Sequence, residues 1–191
     1  MRRLSVTFLL FLLLAGCGGS AATSAIVCKQ QYWDGTVGIC LPDGWKVVDK
    51  ETLAQRGAPP EVTTAFQTDS PVSGQFPTIT VTKETLAQAV DTPTYSQASI
   101  RSVTALPGYK LVDSQNVTID GQAIQLHIFT AQPIAEEPAR RFYQISSVSN
   151  GIGYTYTALT PLSVSDMLDK QILLMMKSMT LKDPGAGSSS K

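Results

Sequence analysis

A single histidine, His127, is the chain's whole supply of imidazole. That leaves room for at most one Ser-His-Asp or Cys-His arrangement and for no multi-histidine metal centre. Cysteine is nearly as scarce, since Cys17, Cys28 and Cys40 are too few for a four-thiolate zinc site. An excess of one charge is missing too: 15 Lys and Arg stand against 15 Asp and Glu, a balance that argues against nucleic acid or a strongly anionic surface as partner. There is no apolar run of the roughly 20 residues that crosses a hydrocarbon layer. Gly151-x-Gly153 follows a hairpin turn, not the strand-to-helix turn of a phosphate loop. No metal or cofactor signature is present, and none is expected to bind.

What the chain does have starts at its N-terminus. Arg2 and Arg3 precede a short core from Leu4 to Leu14, broken only by Ser5 and Thr7, and the run ends on Leu14-Ala15-Gly16-Cys17. A basic start, a short apolar core and a small-residue exit describe an export signal. The ending resembles the lipobox of bacterial lipoproteins, which implies cleavage after Gly16 and a diacylglycerol thioether on Cys17. Residues 1–16 are thus read as signal peptide, and 17–26, small and polar in "GGSAATSA", as a lipidated tether. Residues 27–182 form one domain, and 183–191, "DPGAGSSSK", a disordered tail. Loss of the leader removes Arg2 and Arg3 and no acid, so 13 basic and 15 acidic residues remain, a net of −2. The expected location is extracytoplasmic, on the cell membrane or outer membrane.

Export places Cys28 and Cys40 where thiols pair. Between them "CKQQYWDGTVGIC" reads as a hairpin with Trp33-Asp34-Gly35 as a three-residue loop. That register sets Tyr32 opposite Thr36 and Cys28 opposite Cys40, within disulfide reach. A redox pair usually shows Cys-x-x-Cys, and a metal site needs more ligands than these two and His127.

Turn dipeptides mark further hairpins. Asp120-Gly121 separates "YKLVDSQNVTI" from "QAIQLHIFTA", and Asn150-Gly151 separates "RFYQISSVS" from "IGYTYTAL". With "GWKVVDK", "EVTTAFQTD" and "PTITVTK" they make six to eight strands. Helices are predicted over Asp49 to Gly57, over Thr92 to Leu106, and from Ser163 to about Leu181. In the last, Leu168, Ile172, Met175, Met176 and Met179 form an apolar stripe, with Ser163 and Asp166 as its N-terminal box. "KETLAQ" occurs twice, at Lys50 and at Lys83, in flanks too different for a repeat; both copies read as strand-to-helix junctions, or as coincidence.

In this order, "GTVGICLPDGWKVVD", "FPTITVTK", "GYKLVDSQNVTIDGQ", "FYQISSVSNGIGYTYTAL" and "MMKSMTL" resemble the PsbP/DcrB-like superfamily. Pro42-Asp43-Gly44-Trp45 matches its Pro-x-x-Trp, and Phe142 to Leu159 its aromatic-rich late hairpin. The resemblance implies an α+β fold, an antiparallel sheet covered by helices on both faces. It also implies a non-catalytic binding or assembly module, here with an envelope protein or complex as partner and the bilayer held through Cys17.

The search for chemistry leads the same way. His127 lies on a strand with Ser114 as cross-strand partner. Glu136 and Glu137 sit beside Arg140 and Arg141 in what reads as a solvated turn. The Asn150-Gly151 register gathers Tyr143, Ile145, Tyr154 and Tyr156 on one face, and Gln144, Ser146, Thr155 and Thr157 on the other. The tyrosine face either packs under a helix or lines a groove whose phenols meet a ligand. The alternative function is an envelope-acting hydrolase that uses carboxylate and tyrosine side chains.

Overall fold

The computed structural model describes residues 25–185. The signal segment, Cys17 with most of the tether, and residues 186–191 lie outside the described residues. Within them the order is β1 (Gln30–Trp33), β2 (Gly38–Leu41), β3 (Trp45–Val48), α1 (Lys50–Gln55), β4 (Val62–Thr68), β5 (Thr78–Thr85), α2 (Thr92–Thr104), β6 (Lys110–Ile119), β7 (Gln122–Ala131), β8 (Arg140–Ser149), β9 (Ile152–Pro161) and α3 (Asp166–Lys177). Seven strands pair antiparallel in the order β3-β4-β5-β9-β8-β7-β6, and β1 pairs with β2 in a second sheet. The expected α+β sheet with helices on both faces is the observed fold.

Two tight turns fix the main sheet. Asp120 and Gly121 have φ of 52° and 85°, Asn150 and Gly151 of 52° and 73°, the left-handed pairs that two-residue hairpin turns require. Ile119 therefore faces Gln122, and Ser149 faces Ile152. In β8 and β9 this parity puts Tyr143, Ile145, Tyr156 and Ala158 on one face, all buried. Ile172, Met175 and Met176 of α3, each fully buried, join them in one core, and Ile39 and Leu41 of β2 complete it. The opposite face carries α2, over β7 and β8, and α1, whose Leu53 packs with Val48 and Ala65.

Three local expectations need correction. In the first hairpin Tyr32 faces Ile39 and Gln31 faces Cys40, so the loop is the four residues Asp34 to Val37. The Asp34 carboxylate accepts from the backbone N–H of Thr36 (2.9 Å) and of Val37 (2.8 Å), which closes this wider turn. Gly38 then exchanges backbone hydrogen bonds of 2.8 and 3.0 Å with Thr180. Cys28 precedes β1 and reaches Cys40 from outside the ladder, with the sulfurs 2.24 Å apart and the Cα atoms 5.4 Å apart. Second, α3 is capped by Ser165, whose hydroxyl accepts from Leu168 N, not by Ser163. It ends at Lys177 because the chain turns there to meet Gly38. Third, only the first "KETLAQ" is helical; the second continues β5 and then bends.

Gly153 shows how closely α2 approaches the sheet. A Cβ at this position would lie 2.4 Å from Tyr95 Cζ and 2.6 Å from its hydroxyl. Gly153→Ala should therefore cost about 1–3 kcal/mol of stability, most of it recovered when Tyr95→Leu makes room; an unchanged melting temperature would refute the tight approach. Cys28→Ser with Cys40→Ser should cost about 3 kcal/mol, as expected for a closed loop of this length. Both thiols of the unreduced protein should resist alkylation, and free alkylation would show that they are unpaired.

Candidate functional site

The structure does not bring the tyrosines of β8 and β9 to an open surface. Tyr143 is fully buried, and its hydroxyl donates to Asp169 of α3. Arg141 lies 3.3 Å from the same carboxylate and over the Tyr143 ring, 5.1 Å from its centroid. Tyr156 is also fully buried and donates to the Gly38 carbonyl at 3.4 Å. Burial in this apolar core raises the pKa of both phenols. As a binding surface, Tyr143 and Tyr156 are thus corrected to core residues, covered by α3 and β2. Tyr154, 4 % exposed, edges a cavity of about 320 Å³ beside the first hairpin's turn, with Tyr32, Asp34, Thr64 and Lys83. Asp34 accepts there from the Thr64 hydroxyl at 3.0 Å, so its carboxylate is occupied by the fold.

A larger concavity lies on the other face of the sheet, where the strands turn hydroxyls and amides toward α2. Asp91 caps this helix by accepting from Thr94 N at 2.9 Å, and Pro93 stands in its first turn. The side-chain and backbone hydrogen bonds from Thr94 hold the Asp91 carboxyl below its ordinary pKa. The helix then presents Thr92, Tyr95, Ser96 and Ser99 to the sheet. Ser99 Oγ accepts from Gln144 Nε2 at 2.9 Å and from Ser146 Oγ at 2.8 Å. Ser146 and Thr155 hydroxyls meet at 2.9 Å, and Tyr95 and Thr155 at 3.4 Å. Burial raises the Tyr95 pKa, the Thr155 hydrogen bond opposes this, and the Glu84 carboxylate adds to the rise.

Beside this network opens a groove of about 550 Å³, whose walls include Glu61, Lys83, Glu84, Tyr95, Ser102 and Thr157, with Gln144 at its floor. Gln144 is 6 % exposed, and its Oε1 has no hydrogen-bond partner. The sequence placed Gln144, Ser146, Thr155 and Thr157 on this face but attached no function to them. The usable signal was short, Gln144 with Ser146 and Thr155 with Thr157, each pair two residues apart on its strand.

His127 faces Ser114 across the ladder, but its ring hydrogen-bonds elsewhere. Nε2 lies 3.0 Å from the Tyr109 hydroxyl, and the imidazole packs against the Tyr109 and Phe129 rings. Glu137 pairs with Arg140 at 3.3 Å, and Arg140 also donates to Gln75. Among the described residues no group of three His, Cys, Asp or Glu side chains is placed to hold a metal.

Two solved structures share this arrangement of strands and helices. The solution structure of cyanobacterial PsbP (CyanoP) from Synechocystis sp. PCC 6803 matches with a TM-score of 0.53 at 17% identity, covering 87% of this chain and 100% of that one. The fold is PsbP-like. The crystal structure of LpqN, described as involved in cell envelope biogenesis of Mycobacterium tuberculosis, matches with a TM-score of 0.54 at 13% identity, covering 81% of this chain and 90% of that one. No protein-family model matches the sequence, and no curated protein does. At these identities the likeness is one of PsbP-like architecture.

Burial holds the His127 pKa below its ordinary value of 6.5. Between the folded pKa and about 6.5 the unfolded chain therefore binds more protons than the folded one. The stabilising contribution of neutral His127 is complete above that window and is lost as pH falls through it. The urea midpoint should accordingly drop as the pH falls below about 6.5, and less steeply in His127→Gln. Equal slopes for the two proteins would rule out this histidine as the cause.

Proposed function

We propose that this chain is a bacterial envelope lipoprotein, anchored to a membrane through acylated Cys17, that works by binding or assembling other envelope components. The observation that carries this reading is the asymmetry of the exposed apolar surface. Gln67, Thr78, Leu159, Phe142, Phe129 and Leu111 form a row of paired residues near one end of the main sheet. At this end, in the loops beyond the row and at the adjoining starts of β6 and α3, lie Phe76, Leu111, Val112, Ile134, Leu162 and Met167. These are six of the eight large apolar side chains that are exposed among the described residues. Singly such exposures are ordinary, but gathered along one end they make a recognition surface. The chain enters the fold close by, where Lys29 N–H donates to the Leu41 carbonyl shortly before Trp45 starts β3 at the same end. The paired cysteines suit an extracytoplasmic setting. The likeness to LpqN, a protein of cell envelope biogenesis, supports the same placement.

One observation favours the hydrolase as a second reading: Glu61, Glu84 and Tyr95 line a single groove. Two carboxylates in one cleft are the minimum equipment for acid–base hydrolysis. Product release from purified envelope material, lost in Glu61→Gln and Glu84→Gln, would favour that reading over a binding module.

The binding reading makes two linked predictions. Cys17→Ser should lose labelling by fatty-acid analogues and move the protein out of the membrane fraction. Phe76→Ser with Leu162→Ser, in a chain that keeps Cys17, should leave the melting temperature within a few degrees. It should, however, lose the crosslinks that the wild type forms to envelope components in native membranes. Retention of every crosslink would remove this end of the sheet as the docking surface.

A further inference from the structure

We infer that the groove between α2 and the loop entering β4 is a carbohydrate site. This deepens the reading of the chain as a binding module and is independent of how the chain is anchored. The wall chemistry is the first argument. The Glu61 and Glu84 carboxylates accept hydrogen bonds, and the Ser102, Thr157 and Tyr95 hydroxyls both donate and accept. A pyranose carries neighbouring hydroxyls that do both, and so matches each wall group in turn. Two carboxylates disfavour a phosphate or any other anion. The polar sheet floor disfavours an apolar ligand.

The floor supplies the second argument. Gln144 gives its Nε2 to Ser99, while its buried Oε1 lacks a donor, and a buried acceptor left in this state is destabilising. A ligand hydroxyl entering beside Ser99 satisfies that oxygen as α2 shifts slightly outward. Hydroxyl contacts rather than interlocked apolar side chains hold the middle of the helix here, so such a shift is available. Size is the third argument, since about 550 Å³ lies within the range of sites that enclose small organic ligands.

The test uses the full acylated chain in nanodiscs, free of sugar-based detergent, titrated by calorimetry with chitotetraose and with maltotetraose. Saturable binding of either is expected, weakened about tenfold or more by Glu84→Gln and by Ser102→Ala. Both residues are exposed, so their replacement should leave the melting temperature unchanged. Binding should also change amide exchange in α2 around Ser99. Absence of binding by both oligosaccharides, or binding that neither variant weakens, overturns the assignment. So does preferential binding of a lysine-rich peptide that the same variants abolish, because the groove would then read cationic chains. Persistence of the native-membrane crosslinks in Glu84→Gln and Ser102→Ala keeps the two readings separable: the sugar site can fail while the binding module stands.

Discussion

Asn150 and Gly151 take positive φ, 52° and 73°, and close β8 on β9 with no residue to spare. Side chains alternate faces with a period of two, so a slip of one residue would carry Tyr143, Ile145 and Tyr156 out of the core and seat Gln144, Ser146 and Thr155 in it. These two strands lie inside the seven-stranded order, with β5 on one side and β7 on the other. Their parity is therefore inherited by the neighbours: Val81 faces Tyr156, and Ile128 faces Tyr143. The apolar face on which α3 packs and the hydroxyl face on which α2 rests are both consequences of that turn.

How far the sequence could be read follows the same line. Asn150-Gly151 and Asp120-Gly121 are two-residue turns whose identity fixes register, so the pairing of Ser114 with His127 is legible in the residues alone. Asp34-Gly35 is not, because the turn there is widened by a side chain. The Asp34 carboxylate gathers the N–H groups of Thr36 and Val37, and Gly38 bridges to Thr180, far away in sequence. The two copies of "KETLAQ" make the point most directly. The first follows Asp49, which accepts from Thr52 N and starts a helix. The second begins inside β5, where Lys83 and Glu84 are already paired with Tyr154 and Gly153. A hexamer made mostly of good helix formers still takes the structure that its neighbours impose.

The same asymmetry explains why the site was less legible than the fold. α3 is held by burial of Leu168, Ile172, Met175 and Met176, a stripe visible as periodicity. The middle of α2 is held through Ser99, Ser146, Thr155 and Gln144, residues that propensity rules assign to surfaces. Such a network follows neither apolar periodicity nor a sequence motif. It becomes visible only when two strands and a helix converge on the same few ångströms. Each of its hydrogen bonds contributes about 0.5–1.5 kcal/mol net, whereas fully burying a Leu or Met side chain contributes about 1.5–3. α2 is thus the more loosely held of the two long helices, and it is the one beside the groove.

That division separates the two surfaces in space. The exposed apolar side chains occupy the sheet end near Phe76 and Leu162, whereas the groove opens on the α2 face beside Thr82, Glu84 and Thr155, which pair nearer the opposite end of β5 and β9. An occupant of one does not cover the other. The core with Ile79, Val81, Tyr143 and Tyr156 under α3 is deeply buried and close-packed. A polar ligand in the groove would displace α2, which lies on the face of the sheet opposite α3. The end proposed to dock an envelope component and the groove proposed to hold a polar ligand thus lie on separate parts of the sheet, the geometry that simultaneous occupancy requires.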